Sequence, residues 1–188
     1  MSKSLPELKQ LIIEAERSKK TLILETLPYS RGDLAPVMSE QTVDYHYGKL
    51  AKGYVDRYNA GEGDADFNEA GAFLHNIFFP QLRAPSSAKP YDASLEFINR
   101  HFGNYAELKT AVEEVAMKIQ GSGWVYVSKK GEVKTIKNHQ IRSDIVLLVD
   151  WWEHAWALDY QADKQRYLKN LWRAINWSVI NDRLNTAH

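Results

Sequence analysis

Leu5, Leu8, Leu11, Ile12 and Ala15 recur at three- and four-residue spacing, so residues 4–19 predict a short amphipathic helix. Pro28, Gly32 and Pro36 then oppose regular structure, and residues 27–36 read as an extended loop. Ser39 is a suitable N-cap for a helix running to about Tyr58. Residues 59–64 form a polar, glycine-containing turn, and Asp66 can cap a second helix reaching about Leu82. Two helices joined by so short a turn predict an antiparallel hairpin. A linker containing proline and serine spans residues 84–90.

Beyond the linker, residues 92–102 and 104–120 read as helices separated by Gly103. Residues 121–123 break the chain. Residues 124–128 and 133–137 alternate around Lys129-Lys130-Gly131, which signals a β-hairpin. Residues 145–149 are all aliphatic and predict a third, fully buried strand. Helix is expected again at about 151–157 and from 164 to about 185. The pattern predicts an α+β protein: an extra N-terminal helix (1–20), an antiparallel helical-hairpin lobe (21–83), and an α/β lobe (91–188) built on a small three-stranded antiparallel sheet.

The chain of 188 residues has 44% hydrophobic and 26% charged residues, the composition of an ordinary globular protein. Its formal net charge is zero, which argues against nucleic acid as a bulk partner but leaves room for a local basic funnel. It contains no cysteine, so disulfides, thiolate metal sites and thiol nucleophiles are excluded. No apolar run approaches the roughly 20 residues of a membrane span, and no signal-peptide core follows the N-terminus. A cytoplasmic protein without membrane contact is expected. All six tryptophans lie from Trp124 onward, which predicts a large aromatic core.

The candidate chemistry sits in Leu148-Val149-Asp150-Trp151-Trp152-Glu153-His154-Ala155-Trp156. A buried strand ends on Asp150, and His154 follows four residues later. One carboxylate oxygen and one imidazole nitrogen there can share an ion, and the mixture favours a first-row metal. His46 lies mid-helix in Tyr45-His46-Tyr47-Gly48-Lys49, and His75 lies on a helix that is apolar nearly all round. A lone buried histidine is usually a hydrogen-bonded core residue. Three on elements expected to pack together, beside an aspartate, point to a metal site. His101 reads as a helix-end residue and His188 as tail.

Over residues 27 to 184 the chain resembles the iron/manganese superoxide dismutase family. The matching motifs are Leu27-Pro28-Tyr29, Tyr45-His46-Tyr47-Gly48-Lys49, Tyr54-Val55 and Ala70-Gly71 ahead of His75. Gly121-Ser122-Gly123-Trp124, Asp150-Trp151-Trp152-Glu153-His154-Ala155 and Ile175-Asn176-Trp177 follow in the same order. The resemblance implies His46, His75, Asp150 and His154 as ligands to one iron or manganese per subunit, iron ahead of manganese. It implies superoxide as substrate, Tyr54 as gateway tyrosine, and Lys49 and Lys164 as steering cations. Trp124 and Trp152 would wall the site. Glu153 would sit at the centre of a homodimer, hydrogen-bonded to the ligand histidine of the opposite subunit; a tetramer is also open. Where some members carry an outer glutamine this chain has Gly71, so the resemblance passes the outer role to His139, with Gln140 the alternative.

The chain also departs from the family. Leu50 and Ala157 stand where histidine and tyrosine are usual, and the two losses are consistent because either partner alone would be left unsatisfied. Leu74 replaces a polar residue. Three functions therefore compete: a superoxide dismutase, a structural descendant of the fold without catalysis, and a metal-binding protein without dismutation. Retention of all four implied ligands favours the first.

Overall fold

The computed structural model describes residues 4–17 and 20–186; residues 1–3, 18–19 and 187–188, His188 and the end of the predicted first helix included, lie outside it. Helix α1 (Leu5–Arg17) forms where the periodicity places it. The other described residues leave its apolar face largely uncovered: Leu5, Leu8, Leu11 and Ile12 are exposed.

Residues 20–25 run as a strap over the hairpin, held by two carboxamides. Asn59 accepts from the Leu22 N–H and donates to the Leu22 carbonyl, both at 2.9 Å. Asn76 accepts from the Glu25 N–H at 2.9 Å and donates to the Ile23 carbonyl at 2.8 Å. Each side chain imitates a neighbouring strand and satisfies backbone groups that would otherwise have no partner.

Ser39 opens the first hairpin helix by accepting from the Thr42 N–H at 3.1 Å. Helix α2 (Glu40–Tyr45) continues through a π-helical turn (His46–Ala51) into α3 (Lys52–Ala60). Gly61 ends it in the left-handed region, at φ 70°. Helix α4 (Ala65–Phe78) packs back on α3. Its N-cap is Asp64, whose carboxylate accepts from the Phe67 N–H, and not Asp66. Asp64 has extended backbone, whereas Asp66 already lies inside the first turn and cannot cap it.

Helices α5 (Asp92–Phe102) and α6 (Tyr105–Met117) precede the sheet, and Asn104 caps the second of them. Strands β1 (Gly123–Ser128), β2 (Val133–Lys137) and β3 (Ile145–Asp150) pair antiparallel in the order β2-β1-β3. Strand β1 was expected to alternate, but it is central and buried along its whole length. Strand β3 is fully buried, as its aliphatic run predicts.

The predicted helix at 151–157 is instead a 3-10 turn (Glu153–Ala155) followed by the short α7 (Ala157–Tyr160). The predicted single helix from 164 to 185 is broken into α8 (Lys164–Leu171), a 3-10 turn (Trp172–Ala174) and α9 (Trp177–Asn185). Tertiary partners cause the break. Ile175 bridges to Leu82, and the Asn176 N–H donates to the Gln81 carbonyl at 2.8 Å. Asn176 then caps α9. One buried cluster runs through both lobes, joining Met38, Leu74 and Phe78 to Trp124, Leu148 and Trp151.

Candidate metal centre

Each lobe presents two donors to one point. His46 begins the π-helical turn and His75 lies in α4; Asp150 ends β3 and His154 lies in the 3-10 turn after it. Their four ligand atoms all lie within 4.8 Å of one another. Oδ2 of Asp150 is 3.0 Å from Nε2 of His46, 3.3 Å from Nε2 of His154 and 3.7 Å from Nε2 of His75. Metal bonds of about 2.1 Å separated by 90–120° place neighbouring donors about 3.0–3.6 Å apart, so one first-row ion fits among them.

Three of the donors are held in the protonation state that a metal needs. The Nδ1–H of His75 donates to the Gly71 carbonyl at 2.7 Å, which leaves the Nε2 lone pair facing the site. Burial, then the neighbouring His154, pulls His46 down to about 4. Burial, then His46, holds His75 well below its usual value. Burial pushes the Asp150 carboxyl up, but His154 and His46 outweigh it and keep the group ionised far below the carboxylate range. His46 and His75 thus offer nitrogen lone pairs, and Asp150 offers oxygen. Nδ1 of His46 is buried without a hydrogen-bond partner.

An aromatic shell encloses this set. Phe78 and Phe79 lie 5.7 and 4.8 Å from the His46 ring, and Trp124 lies 5.1 Å from His75. The indole N–H of Trp124 donates to Nδ1 of His139 at 3.1 Å. In the neutral ring the proton therefore sits on Nε2, which donates to the Tyr54 oxygen at 2.9 Å. Burial depresses His139 to about 4 and keeps it neutral. The Tyr54 hydroxyl proton is then free for another acceptor. Burial, then Asp150, raises Tyr54 to about 12, so the phenol stays protonated. Trp152 stacks on His139, 4.6 Å between centroids. Gln140 is exposed and accepts from Arg142 at 2.7 Å.

Gly71 carries no side chain because the Tyr54 ring occupies the space: a Cβ there would lie 2.8 Å from the ring. The π-helical turn helps to bring Tyr54 there. Eight residues of regular α-helix would rotate Tyr54 about 80° away from the His46 direction. A π-turn absorbs one residue and removes most of that offset. The Tyr54 ring ends 5.4 Å from His75.

Residues 90–183 match the iron/manganese superoxide dismutases, C-terminal domain, and residues 21–66 match their alpha-hairpin domain. The chain belongs to the iron/manganese superoxide dismutases. A "Superoxide dismutase [Fe]" of Bacteroides fragilis (strain YCH46) is 34% identical over 87% of this chain and 100% of the relative. A "Superoxide dismutase [Mn/Fe]" of Porphyromonas gingivalis is 32% identical over 85% of this chain and 97% of the relative. A "Superoxide dismutase [Fe]" of Escherichia coli (strain K12) is 28% identical over 86% of this chain and 97% of the relative. His75 falls between the two matched stretches, so its place beside His46 is a finding of the fold.

The site opens through a mouth lined by both lobes. A cavity of about 840 Å³ is lined by Tyr54, Glu153, His154, Trp152 and Lys164, with Leu50 and Ala157 also on its wall. Lys164 lies over the Trp151 ring at 5.5 Å. Lys49 lines a neighbouring depression with Tyr45 and Leu158. Glu153 is exposed beside the opening. Sequence reasoning missed Tyr167, whose buried hydroxyl donates to the Asp150 carbonyl at 3.1 Å. A tyrosine at an apolar helix position carries no signal that its hydroxyl has such a task.

Proposed function

We propose that this chain is a superoxide dismutase that binds one iron or manganese per subunit, iron ahead of manganese, and acts as a cytoplasmic homodimer. The observation that carries the reading is the convergence of His46, His75, Asp150 and His154 from both lobes within 4.8 Å. Bound iron or manganese supplies one-electron exchange, so that two superoxide ions and two protons become oxygen and hydrogen peroxide. The protein's share is to hold the donors, exclude bulk water and deliver protons. Tyr54 Oη–H is the proton donor at the mouth, and His139 orients it through Nε2–H while Trp124 fixes the His139 tautomer. Gln140, turned outward, takes no part. Lys164 raises the local potential for a small anion, with Lys49 at the rim. Glu153 pairs with the ligand histidine of a second subunit across the mouth.

Protein from the native host should contain about one iron or manganese per chain and dismutate superoxide. Stoichiometric metal without activity would favour a metal-binding protein altered at the mouth, the reading that Leu50 and Ala157 support. Absence of metal would leave only a shared scaffold.

A further inference from the structure

Strand β3 is an outer strand of the sheet, so its far edge carries backbone groups that no strand satisfies. Side chains take the missing strand's place. The Val146 carbonyl accepts from Nη1 of Arg183 at 3.1 Å. Leu148 pairs with the Gln81 carboxamide twice: its N–H donates to Oε1 at 3.1 Å and its carbonyl accepts from Nε2. The Asp150 carbonyl accepts from Tyr167. These are alternate residues on one edge, and the last is a donor of the metal site.

Arg183 also reaches the hairpin. Nη2 donates to the Ile77 carbonyl at 2.6 Å, and Nη1 donates to Gln81 Oε1 at 2.9 Å. Ile77 lies in the last turn of α4, where carbonyls have no partner within the helix. Burial lowers Arg183 to about 10, so it is still charged at neutral pH. The acceptors are all neutral oxygens, and withdrawing a guanidinium from water for such partners is a poor source of stability. Fixing a position is the better account.

We propose that Gln81 and Arg183 are positioning residues for the metal centre, locking the end of the His75 helix to the edge of the Asp150 strand. This rests on the metal-binding reading above. Ile77 stands two residues beyond His75 and Leu148 two before Asp150, so a slip at the clamp moves donors from both lobes.

The test uses the full chain, stripped of metal and titrated with Mn(II), with free ion read by electron paramagnetic resonance. Arg183→Met, Gln81→Leu and the milder Arg183→Lys are compared with Val112→Ala, a change in the buried core of α6. Urea melts of the metal-free proteins measure stability separately. Arg183→Met and Gln81→Leu should lower the Mn(II) affinity of folded protein about tenfold, within the range seen when groups supporting ligands are lost. Arg183→Lys should fall between, and the bound-ion spectrum should change shape. Val112→Ala should lose stability yet keep wild-type affinity and spectrum. Clamp variants that lose stability alone, with affinity and spectrum unchanged, would overturn the proposal. A wild-type chain that binds neither Mn(II) nor Fe(II) would overturn the metal reading itself, and the clamp with it.

Discussion

The two walls of the metal centre are built differently. The inner wall is polar and internally bonded: Trp124, His139 and Tyr54 form one chain of hydrogen bonds, and the Tyr54 ring rests on Gly71. The outer wall is open: Leu50 and Ala157 stand on a cavity of about 840 Å³ with Glu153 at its edge. The inner wall has its proton positions assigned by its own contacts. The outer wall offers apolar surface at Leu50 and Ala157. Proton delivery should therefore depend mostly on the inner wall, and substrate approach on the outer one.

The largest effect should come from the donors shared by both. Asp150→Ala should lower metal affinity by more than about 100-fold, since loss of a mere supporting group already costs about 10–100-fold; equilibrium titration of the metal-free chain checks it. On the inner wall, Tyr54→Phe should keep the metal and reduce turnover about tenfold or more, measured by stopped-flow decay of superoxide. Turnover unchanged by that substitution would erase the contrast between the walls.

Acid should act on the inner wall too. His46 and His139 both titrate at about 4 when folded, against about 6.5 unfolded. The unfolded chain therefore binds more protons across that window. Stability of the metal-free protein is complete above about 6.5 and is lost as pH falls toward about 4, on the order of 3 kcal/mol for each group. His139→Gln should flatten the slope in urea melts at successive pH values. Gly71→Ala should cost about 1–3 kcal/mol in the same melts, because the new methyl meets the Tyr54 ring.

The outer wall should give the smallest change. Lys164→Glu should slow superoxide decay a few-fold at low salt, and the difference should shrink as ionic strength rises past about 0.1 M. An effect independent of salt would mean that Lys164 holds the wall and does not steer.

Much of the donor set was legible in the sequence. Strand β3 reads as buried from its aliphatic run, and His46, His75, Asp150 and His154 stand out as rare polar residues on apolar elements. The preference for His139 over Gln140 rests on the resemblance and has no ground in local pattern. In the structure the choice turns on Asn138, whose φ of 54° rotates the chain so that His139 faces Tyr54 and Gln140 faces solvent. The break at Ile175 and Asn176 was hidden for a similar reason: helical periodicity continues through it, and only the pairing with Leu82 and Gln81 overrides it. The roles of Gln81 and Arg183 depend on partners 67 and 106 residues away, beyond any local pattern. Periodicity placed α1 correctly, but it reports that a helix has an apolar face and not what lies against it.

The strap at residues 20–25 has a practical consequence. The strap lies after α1 and ahead of the first donor, His46, but its anchors Asn59 and Asn76 lie on helices α3 and α4, and Asn76 adjoins the donor His75. A dye, affinity tag or surface tether joined ahead of α1 would pull first on Lys20, which is paired with Glu69 of α4, and then on those two amides. Because Asn76 follows His75 directly, immobilisation from that end should load the helix of a metal donor, and a tether at the C-terminal end is the safer choice.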